Sequence, residues 1–438
     1  MIAEAVRERA ARSEVVDNIR SGEVKHVVPL HDSGRYRQPS LNLGGLDQVI
    51  QIDVENRVCV AESAVPFWRI VQATLARGLL PKVVPELKGI TLGGAVVGCS
   101  VESMSFRYGG FHDTCLEYEL VTGSGDIITC SREEEPDVFE MVHGSYGTLA
   151  LLTRLTFELI PASRCVHLSY RTFTSSDSFL SELHRQVADG SADFIDAIVH
   201  APDRFVLCLG EFVDEAPYVS DVRSNVYYAS TAARDEDYLT TEDYCFRYDA
   251  DCHWMTRAVP PLQWGPVRRL AGRRLLGSTN LIRLSRLQAM VSRKRRPDVV
   301  CDIFVPSQRF LEFFDWYSRE FCFYPLWVVP YRPPRDYPWI SEEFIHRAGD
   351  DLYIDCAIYG RDNNEPDRDY SQILEDKVFE IGGLKTLIGR NSYTPERFWT
   401  IYHQRNWQDA KARLDPQGLL PELYEHVGQT GTGSPKNR

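Results

Sequence analysis

The segment 83–162 constrains the fold most, because it holds three short glycine groups separated by apolar and β-branched sequence. These groups are Thr91-Leu92-Gly93-Gly94, Tyr108-Gly109-Gly110 and Gly144-Ser145-Tyr146-Gly147-Thr148. Glycine has no Cβ, so its backbone can approach a ligand closely, and successive N–H groups there can bind phosphate oxygens. The spacing alone allows two interpretations: ordinary turns, or a nucleotide-cofactor site built from loops.

Two strand-like runs, 116–122 and 126–130, lie inside this segment and are joined by Gly123-Ser124-Gly125. Glycine supplies the positive φ of tight turns, so we predict a β-hairpin here. The sequence contains neither a G-x-G-x-x-G turn after a strand nor a G-x-x-x-x-G-K-[ST] loop. A nucleotide site in this chain is therefore predicted to differ from a Rossmann turn and from a P-loop.

The order of these pieces resembles the FAD-binding half of the vanillyl-alcohol-oxidase-like flavoproteins, which carry a PCMH-type FAD-binding domain. The matching pieces are Pro85, the group 91–94, the loop 98–100, Tyr108-Gly109, Gly125-Asp126, the helix start 136–139 and the strand entry 144–149. Within that superfamily, the chain resembles the sterol side-chain (delta-24) reductase family most. That resemblance extends from about Tyr36 to near the C-terminus and includes Pro85-Glu86-Leu87, Val101-Glu102-Ser103, Tyr324-Pro325-Leu326-Trp327 and Leu352-Tyr353-Ile354-Asp355.

The resemblance implies an α+β fold, in which a two-part FAD-binding domain receives an inserted cap domain with an antiparallel sheet. Alternating strand-like runs after residue 162 independently favour such a sheet. The expected boundaries are 1–162 for the FAD-binding domain, 163–375 for the cap, 376–428 for the C-terminal return and 429–438 for a disordered tail.

The resemblance also implies a set of cofactor-binding residues and a non-covalently bound FAD, with NADPH as a candidate electron donor. The implied residues are Pro85, Glu86, Leu87, Thr91, Leu92, Gly93, Gly94, Gly98, Ser100, Glu102, Ser103, Tyr108, Gly109, Gly147, Thr148, Leu149 and Ala150.

The N-terminal part departs from the family, because the glycine-rich loop that binds the FAD pyrophosphate is not recognisable. Only Pro29-Leu30-His31-Asp32-Ser33-Gly34 stands near its place. A shorter loop with the same role, a truncated start and weakened or lost FAD binding are the three explanations. The family's covalent histidine has no clear counterpart, and His31 is equally explained as a turn-capping residue.

A proton donor is needed beside a flavin that reduces a carbon–carbon double bond, because the flavin supplies only the hydride. The predicted catalytic residues are Tyr331, Tyr359, Tyr393 and Arg390, with the arginine stabilising negative charge on the reduced flavin. Tyr324, Tyr353 and Asp355 are further candidates, since they lie on or beside the predicted cap strands. Each tyrosine is also explained as a buried aromatic with a satisfied hydroxyl. The segment 331–340, rich in proline and aromatic residues, is predicted to be a loop or lid.

Composition excludes several other classes. The net charge of −13 argues against a nucleic-acid partner. Eleven irregularly spaced cysteines without a C-x-x-C pair argue against a zinc site or a disulfide scaffold and suit a reducing cytoplasm. No metal is predicted. The charged start lacks a secretion signal and no apolar run approaches a membrane span, so we expect a cytoplasmic protein that lacks the membrane anchor of eukaryotic relatives.

A basic run from Trp264 to Arg296 stands out in this acidic chain, because leucines alternate there with arginines. Three interpretations remain open: a segment lying on an anionic membrane, a site for the extra phosphate of NADPH, or a solvated helix face. The membrane contact would bring the enzyme to a lipid substrate.

The sequence therefore predicts an FAD-dependent oxidoreductase that acts on a CH–CH group of an apolar lipid, such as a sterol or isoprenoid side chain. Three alternatives are a methylene-fatty-acyl reductase, a flavin oxidase of an alcohol, and a flavin-free binding protein with the same fold.

Overall fold

We describe residues 1–16, 19–22, 41–258, 260–291, 294, 296–349 and 351–428 of the protein in a computed structural model. The predicted loop around His31 and the predicted tail 429–438 lie outside these residues. The strands are β1 (Ile19–Arg20), β2 (Leu41–Asn42), β3 (Val49–Asp53), β4 (Val58–Glu62), β5 (Leu79–Pro81), β6 (Cys115–Val121), β7 (Ile127–Ser131), β8 (Leu151–Pro161), β9 (Cys165–Phe173), β10 (Phe194–Ala201), β11 (Arg204–Val213), β12 (Glu236–Thr240), β13 (Val299–Pro306), β14 (Leu326–Tyr331), β15 (Tyr353–Arg361) and β16 (Leu384–Lys385).

The α-helices among the same residues follow in chain order. They are α1 (Ile2–Ala11), α2 (Phe67–Leu75), α3 (Leu92–Val97), α4 (Ser105–Tyr108), α5 (Pro136–Met141), α6 (Ser176–Asp189), α7 (Tyr227–Ser230), α8 (Thr241–Cys245), α9 (Gly265–Leu275), α10 (Ser278–Val291), α11 (Phe310–Trp316), α12 (Glu342–Ile345), α13 (Tyr370–Glu380), α14 (Pro395–Ile401), α15 (Gln404–Leu414) and α16 (Leu423–Val427).

The first sheet is antiparallel and has the order β3-β4-β8-β6-β7, with β5 pairing with β8 as well. The predicted hairpin of β6 and β7 is present, and Gly125 takes a φ of +80° in its turn. Helix α2 packs on this sheet because Phe67, Ile70 and Val71 recur at helical spacing and are buried. The C-terminal helices α14 and α15 join the same core through Phe398 and Trp407.

The second sheet is also antiparallel, with the order β12-β9-β11-β10-β14-β15-β13-β16. Successive side chains of a strand point to opposite faces, and the central strands β13, β14 and β15 use both. One face packs on α6, α11 and α13 through residues such as Ile303, Val328 and Ile354. The other face points toward the first domain and carries the acidic and aromatic side chains described below.

The two sheets confirm the predicted α+β fold with an antiparallel second sheet. The chain passes from one sheet to the other between Pro161 and Cys165. Strand β16, within the predicted return, pairs with β13 of the second sheet, whereas α14 and α15 pack on the first core. The predicted boundaries at 162 and 375 stay predictions.

Candidate active site

A cavity of about 1170 Å³ lies between the glycine loops of the first domain and the inward face of the second sheet. Its walls come from the segments 85–101 and 146–152, from α10, and from β13, β14 and β15. Drug-sized ligands usually occupy pockets of roughly 300–1,000 Å³, so this cavity has room for a large cofactor or for two molecules side by side.

One end of the cavity is formed by glycine and hydroxyl groups, and we refer to it as the glycine end. Thr91 caps helix α3, where its Oγ1 accepts a hydrogen bond of 3.2 Å from the N–H of Gly94. The N–H of Gly93 donates to the carbonyl of Ser63 over 2.7 Å, and Ser21 Oγ lies 3.3 Å from Thr91 Oγ1. The Oγ of Ser63 is buried without a hydrogen-bond partner in the described part of the chain.

The glycine end has the chemistry that FAD requires of a pyrophosphate site. A Cβ on Gly94 would meet only Thr91 Oγ1, at 3.0 Å, and would otherwise point into open space. The Ser63 hydroxyl and the exposed Arg20 side chain both line this space, and arginine suits phosphate oxygens. Close backbone, an unsatisfied hydroxyl and a cation together fit the group, so these residues could hold it.

The opposite wall is the inward face of the second sheet. Val300, Asp302 and Phe304 line the cavity from β13, and Asp355 and Tyr359 line it from the paired strand β15. Within each strand these residues are separated by an even number of positions, so their side chains point to the same face of the sheet. Carboxyl groups therefore stand in an otherwise apolar ceiling.

Asp302 and Asp355 of this wall and Glu86 of the first domain form what we call the acid cluster. Glu86 Oε1 lies 3.0 Å from His253 Nε2, and the hydroxyl of Tyr359 donates to Asp302 Oδ1. Burial raises the pKa of Asp302 to about 6, partly offset by the hydrogen bond from Tyr359. Burial, followed by repulsion from Asp302 and Glu86, raises the pKa of Asp355 well above its usual value.

His253 reaches this cluster because of an unusual turn. Cys252 and His253 have φ values of +40° and +59°, in the left-handed region that costs non-glycine residues about 1–3 kcal/mol each. The turn places the His253 ring 4.0 Å from the Tyr359 ring, centroid to centroid. Such strain persists only where the surrounding structure holds it, and it is concentrated at functional sites.

A second group of buried charges, the paired cluster, consists of Glu102, Asp196 and Arg247. Arg247 Nη2 lies 2.8 Å from Glu102 Oε1 and 3.0 Å from Asp196 Oδ2. Tyr248 and Trp327 also donate to Asp196 Oδ2, over 2.8 and 2.9 Å. None of the three charged residues lines the cavity.

The predicted cofactor residues divide into two groups. Those that line the cavity are Pro85, Glu86, Leu87, Thr91, Gly93, Gly94, Gly98, Ser100, Gly147 and Ala150. The others point elsewhere: Leu92 and Leu149 are in the core, Glu102 binds Arg247, Ser103 accepts from Tyr244, Tyr108 faces Lys82 and Thr148 Oγ1 donates to Ser145. Close packing within the protein requires glycine at position 109, since a Cβ there would lie 2.9 Å from Pro334 Cδ.

Of the predicted catalytic residues, Tyr359 lines the cavity. The Tyr331 hydroxyl lies 2.7 Å from that of Tyr337, away from the cavity. Arg390 pairs with Asp369, and Tyr393 is buried in the first core. These roles stay predictions. Sequence reasoning missed Arg20, Ser63, His253 and Asp302; only Asp302 gave a signal, as an acid within an apolar strand.

The predicted loop 331–340 is tied to the first domain. Arg335 lies 3.0 Å from Asp113 and makes two hydrogen bonds of 3.0 Å to Glu140. Tyr337 donates to Asp113 Oδ2 over 2.7 Å. The segment therefore bridges the two domains through buried polar contacts.

The described part of the basic run includes α9 and α10, and the arginines whose side chains are described there have different environments. Arg268 is buried, with Nη1 2.6 Å from Asp251 Oδ1 and hydrogen bonds to the carbonyls of Arg223 and Leu262. The interpretation of the whole run as a solvated or membrane-facing surface is therefore wrong for Arg268, because buried Asp251 needs a cation. Trp264 and Leu270 are 62% and 90% exposed.

Within the described ranges, no three His, Cys, Asp or Glu side chains are grouped so that they could hold a metal ion. Among the helices of those same ranges, none is both long enough and apolar enough to cross a membrane. All eleven cysteines are unpaired.

Comparison with known proteins agrees with this geometry. The family described as an FAD binding domain matches residues 18–131, which include the glycine end. The chain is 24% identical to the Delta(24)-sterol reductase of Homo sapiens over 90% of its own length and 79% of that protein. It is 26% identical to the Delta(24)-sterol reductase of Pisum sativum, over 92% and 76% of the two chains. It is 30% identical to Cytokinin dehydrogenase 7 of Oryza sativa subsp. japonica over 45% of this chain and 41% of that one.

The chain is thus an FAD-dependent oxidoreductase with a PCMH-type FAD-binding domain. Within that class, the resemblance to the delta-24-sterol reductases noted in the sequence is confirmed, and it extends through both domains.

Proposed function

We propose that this oxidoreductase reduces a carbon–carbon double bond in an apolar lipid such as a sterol or isoprenoid side chain. The observation that carries the proposal is the combination of an apolar cavity with acidic groups in its ceiling. An isolated double bond offers no group for hydrogen bonding, so apolar surface must bind it and an acid must protonate it. The names of the Delta(24)-sterol reductases support this substrate class.

FAD supplies hydride chemistry when it is bound, and the protein contributes binding, orientation and protons. We propose that FAD is held without a covalent link at the glycine end, by the backbone of Gly93, Gly94 and Gly147 and by Ser63 and Arg20. The ring-binding part of the cavity would then face the second sheet. There, Trp327 and Phe304 exclude water and bind the apolar chain of the substrate.

Two related reactions are distinguished by the cavity lining. An alcohol oxidase needs a base beside a polar pocket, whereas this ceiling is largely apolar and holds Asp355, whose pKa burial raises well above its usual value, which favours the protonated acid there. A methylene-fatty-acyl reductase would use the same apolar surface and the same acid. The methylene-fatty-acyl reductase therefore stays an alternative, and only identification of the substrate distinguishes the two reactions.

NADPH is the proposed electron donor. Arg257 and Arg296 line the cavity together with Arg20, and guanidinium groups suit the phosphates of a dinucleotide. Anaerobic mixing with NADPH and with NADH tests this point, since faster bleaching of the flavin by NADPH is the expected result. Equal rates would contradict a site for the extra phosphate.

The decisive experiment is anaerobic reoxidation of the reduced, FAD-loaded protein by lipids that carry a double bond. We expect flavin absorption to return with a sterol carrying a side-chain alkene, and mass spectrometry to detect the saturated product. The saturated sterol is the control and should leave the flavin reduced. Reoxidation by a methylene-branched acyl lipid alone would select the alternative, and reoxidation by neither would reject the reductase proposal.

The FAD site itself is tested by Gly94→Leu, because a side chain there would project into the cavity. The matched control is Gly45→Leu, where a Cβ meets nothing within 4 Å. We expect the flavin spectrum after gel filtration to survive in the control and to be lost in Gly94→Leu, while both apo-proteins unfold at similar temperatures. Retained flavin in Gly94→Leu would contradict the placement.

We also propose that the protein is cytoplasmic and contacts an anionic membrane through α9 and α10. Trp264, Leu270 and Leu284 expose apolar surface there, and Arg269 and Arg283 are exposed beside them. Helix α10 also gives Leu281 and Ile282 to the cavity, so a lipid leaving the membrane would meet the cavity directly. Unpaired cysteines support a reducing compartment.

Vesicle sedimentation tests the membrane contact, with neutral vesicles and with vesicles that contain an anionic phospholipid. The double variant Trp264→Ser/Leu270→Ser should bind anionic vesicles at least about tenfold more weakly, since burial of each side chain contributes about 1.5–3 kcal/mol. The control is Ile127→Ser, which removes a side chain that is 59% exposed on the first sheet. Equal binding of all three proteins would contradict the proposal.

A further inference from the structure

Asp355 is an acidic residue in the middle of a buried strand. Its neighbours Ile354 and Cys356 point into the core on the far face of the second sheet, so Asp355 points toward the cavity. The residue is 2% exposed, and its Oδ1 has no hydrogen-bond partner among the described residues. A buried carboxyl group with an oxygen that lacks a hydrogen-bond partner is costly, which calls for a reason beyond packing.

The groups around Asp355 do not neutralise it. Asp302 lies diagonally across the β13–β15 pair, at the spacing of about 7 Å typical of such neighbours. Glu86 faces it from the first domain, and Tyr359 follows it on its own strand. His253 Nε2 lies 3.0 Å from Glu86 Oε1.

Resting on the proposed reduction of a double bond, we propose that Asp355 is the catalytic acid that protonates the lipid. The π bond breaks and two C–H bonds form: one carbon takes the carboxyl proton of Asp355, which becomes a carboxylate, and the other carbon takes a hydride. Bound, reduced FAD would supply that hydride with its electron pair. Solvent returns the proton before the next turnover, so atoms and electrons balance.

The other candidates for this role have their protons or oxygens committed. The hydroxyl of Tyr359 donates to Asp302 Oδ1, so its proton points away from the substrate. Asp302 accepts that bond, and Glu86 pairs with His253. Tyr359 and His253 therefore act as positioning residues, which hold Asp302 and Glu86 next to Asp355.

The electrostatics favour the protonated form of the Asp355 carboxyl group. Burial is the largest cause that raises the pKa of Asp355, and the negative charges of Asp302 and Glu86 add to it. The titratable groups that face it are Asp302 from β13, Glu86 from the first domain, and Tyr353 and Tyr359 from β15 itself. Protonation of an alkene that accepts hydride poorly requires such a neutral acid.

The first test detects the proton on the Asp355 carboxyl group directly and does not require turnover. Infrared difference spectra of the FAD-loaded wild type and Asp355→Asn, both at neutral pH, isolate the C=O stretch of a protonated carboxyl group. We expect a wild-type band that shifts in D₂O and is absent from the variant. A difference spectrum with only carboxylate bands would overturn the proposal.

The second test separates the two half-reactions by stopped flow. In Asp355→Asn, reoxidation of reduced flavin by the alkene should slow about 10²–10⁴-fold, the usual contribution of a general acid. Reduction of the flavin by its donor should stay unchanged, and Asp355→Glu should recover part of the rate. The control is Cys356→Ser, one residue along β15 with its side chain in the opposite core. Flavin retention verifies that each variant folds.

The outcomes distinguish this proposal from the one on which it rests. If wild-type reduced flavin is reoxidised by no alkene, the reductase proposal fails and the acid role fails with it. If the wild type is reoxidised and Asp355→Asn matches its rate, only the acid role fails.

Discussion

Two clusters of buried acids lie at the inward face of the second sheet, and they differ in the groups that surround their carboxyl oxygens. In the paired cluster, Glu102 and Asp196 share the guanidinium of Arg247. In the acid cluster, Glu86 lies next to His253, Asp302 accepts a hydrogen bond from Tyr359, and Asp355 has an oxygen without a hydrogen-bond partner among the described residues. Trp327 separates the two, because its ring lines the cavity while its Nε1 donates to Asp196.

This difference indicates that the paired cluster has a structural role. Burial of a charge is tolerated when hydrogen bonds and an opposite charge satisfy it, and the paired cluster meets both conditions between the domains. In the acid cluster, burial raises the pKa of Asp355 well above its usual value, and the negative charges of Asp302 and Glu86 raise it further. A protonated Asp355 can deliver its proton into the cavity. Burial also raises the pKa of Glu102 to about 7, although Arg247 opposes that rise, but Glu102 does not line the cavity.

The largest effect expected from this comparison is that of Arg247→Met on stability. The change leaves two buried carboxylates without their cation, so we expect the free energy of unfolding to fall by about 3–5 kcal/mol. Denaturant unfolding measures it, with Arg171→Met as a control, since the exposed pair of Arg171 and Glu182 should contribute about 1 kcal/mol or less. Similar losses in both variants would show that the paired cluster is no more structural than a surface pair.

A smaller effect is expected for Trp327→Phe, which removes one donor to Asp196 and keeps an aromatic ring in the cavity wall. A hydrogen bond to a charged group contributes about 1.5–3 kcal/mol, so the free energy of unfolding should fall by about that amount. Trp339→Phe is the matched control, because its Nε1 has no hydrogen-bond partner in the described residues. A stronger loss in the control would contradict the role given to Nε1.

The sequence predicted the architecture better than the site. Glycines between strand-like runs and the period-two cap strands were enough for the α+β fold, because both depend on local sequence. The acid cluster depends on three segments far apart in the chain, 85–87, 299–306 and 353–361, and no local pattern connects them. The sequence predicted Glu86 and Asp355 as separate candidates, and Asp302 carried only the signal of an acid flanked by Val300 and Phe304 on a strand.

Partners across the two domains also decided the roles of single residues. Glu102 resembled a cofactor residue within Val101-Glu102-Ser103, yet it lies next to Arg247, 145 positions later. Gly109 resembled part of a ligand loop, although the proline it makes room for belongs to the segment 331–340. The basic run predicted an exposed position for Arg268, but this residue is buried because it pairs with Asp251. A sequence pattern does not contain these long-range pairings.

A third prediction concerns Tyr359→Phe, which removes the hydroxyl that donates to Asp302. That hydrogen bond lowers the pKa of Asp302 against the effect of burial, so its removal should raise this pKa above its present value of about 6. Infrared titration of the carboxyl bands measures the shift, and the free energy of unfolding should fall by about 1–2 kcal/mol. Tyr424→Phe, whose hydroxyl donates to a carbonyl in the first domain, is the control and should leave that titration unchanged.

The smallest expected effect is that of Asp355→Asn on stability, and its sign separates the two clusters. The folded-state pKa of Asp355 lies well above that of aspartate in the unfolded chain, so this group's contribution to stability is complete at low pH. That contribution is lost as pH rises through the folded pKa, because the folded protein must then hold a buried charge. Asparagine does not titrate and fills nearly the same volume. Thermal unfolding of both proteins across pH should therefore show a midpoint for Asp355→Asn that equals or exceeds that of the wild type, by a margin that grows with pH. A paired carboxylate would behave in the opposite way, since its replacement would destabilise the protein most at neutral and alkaline pH.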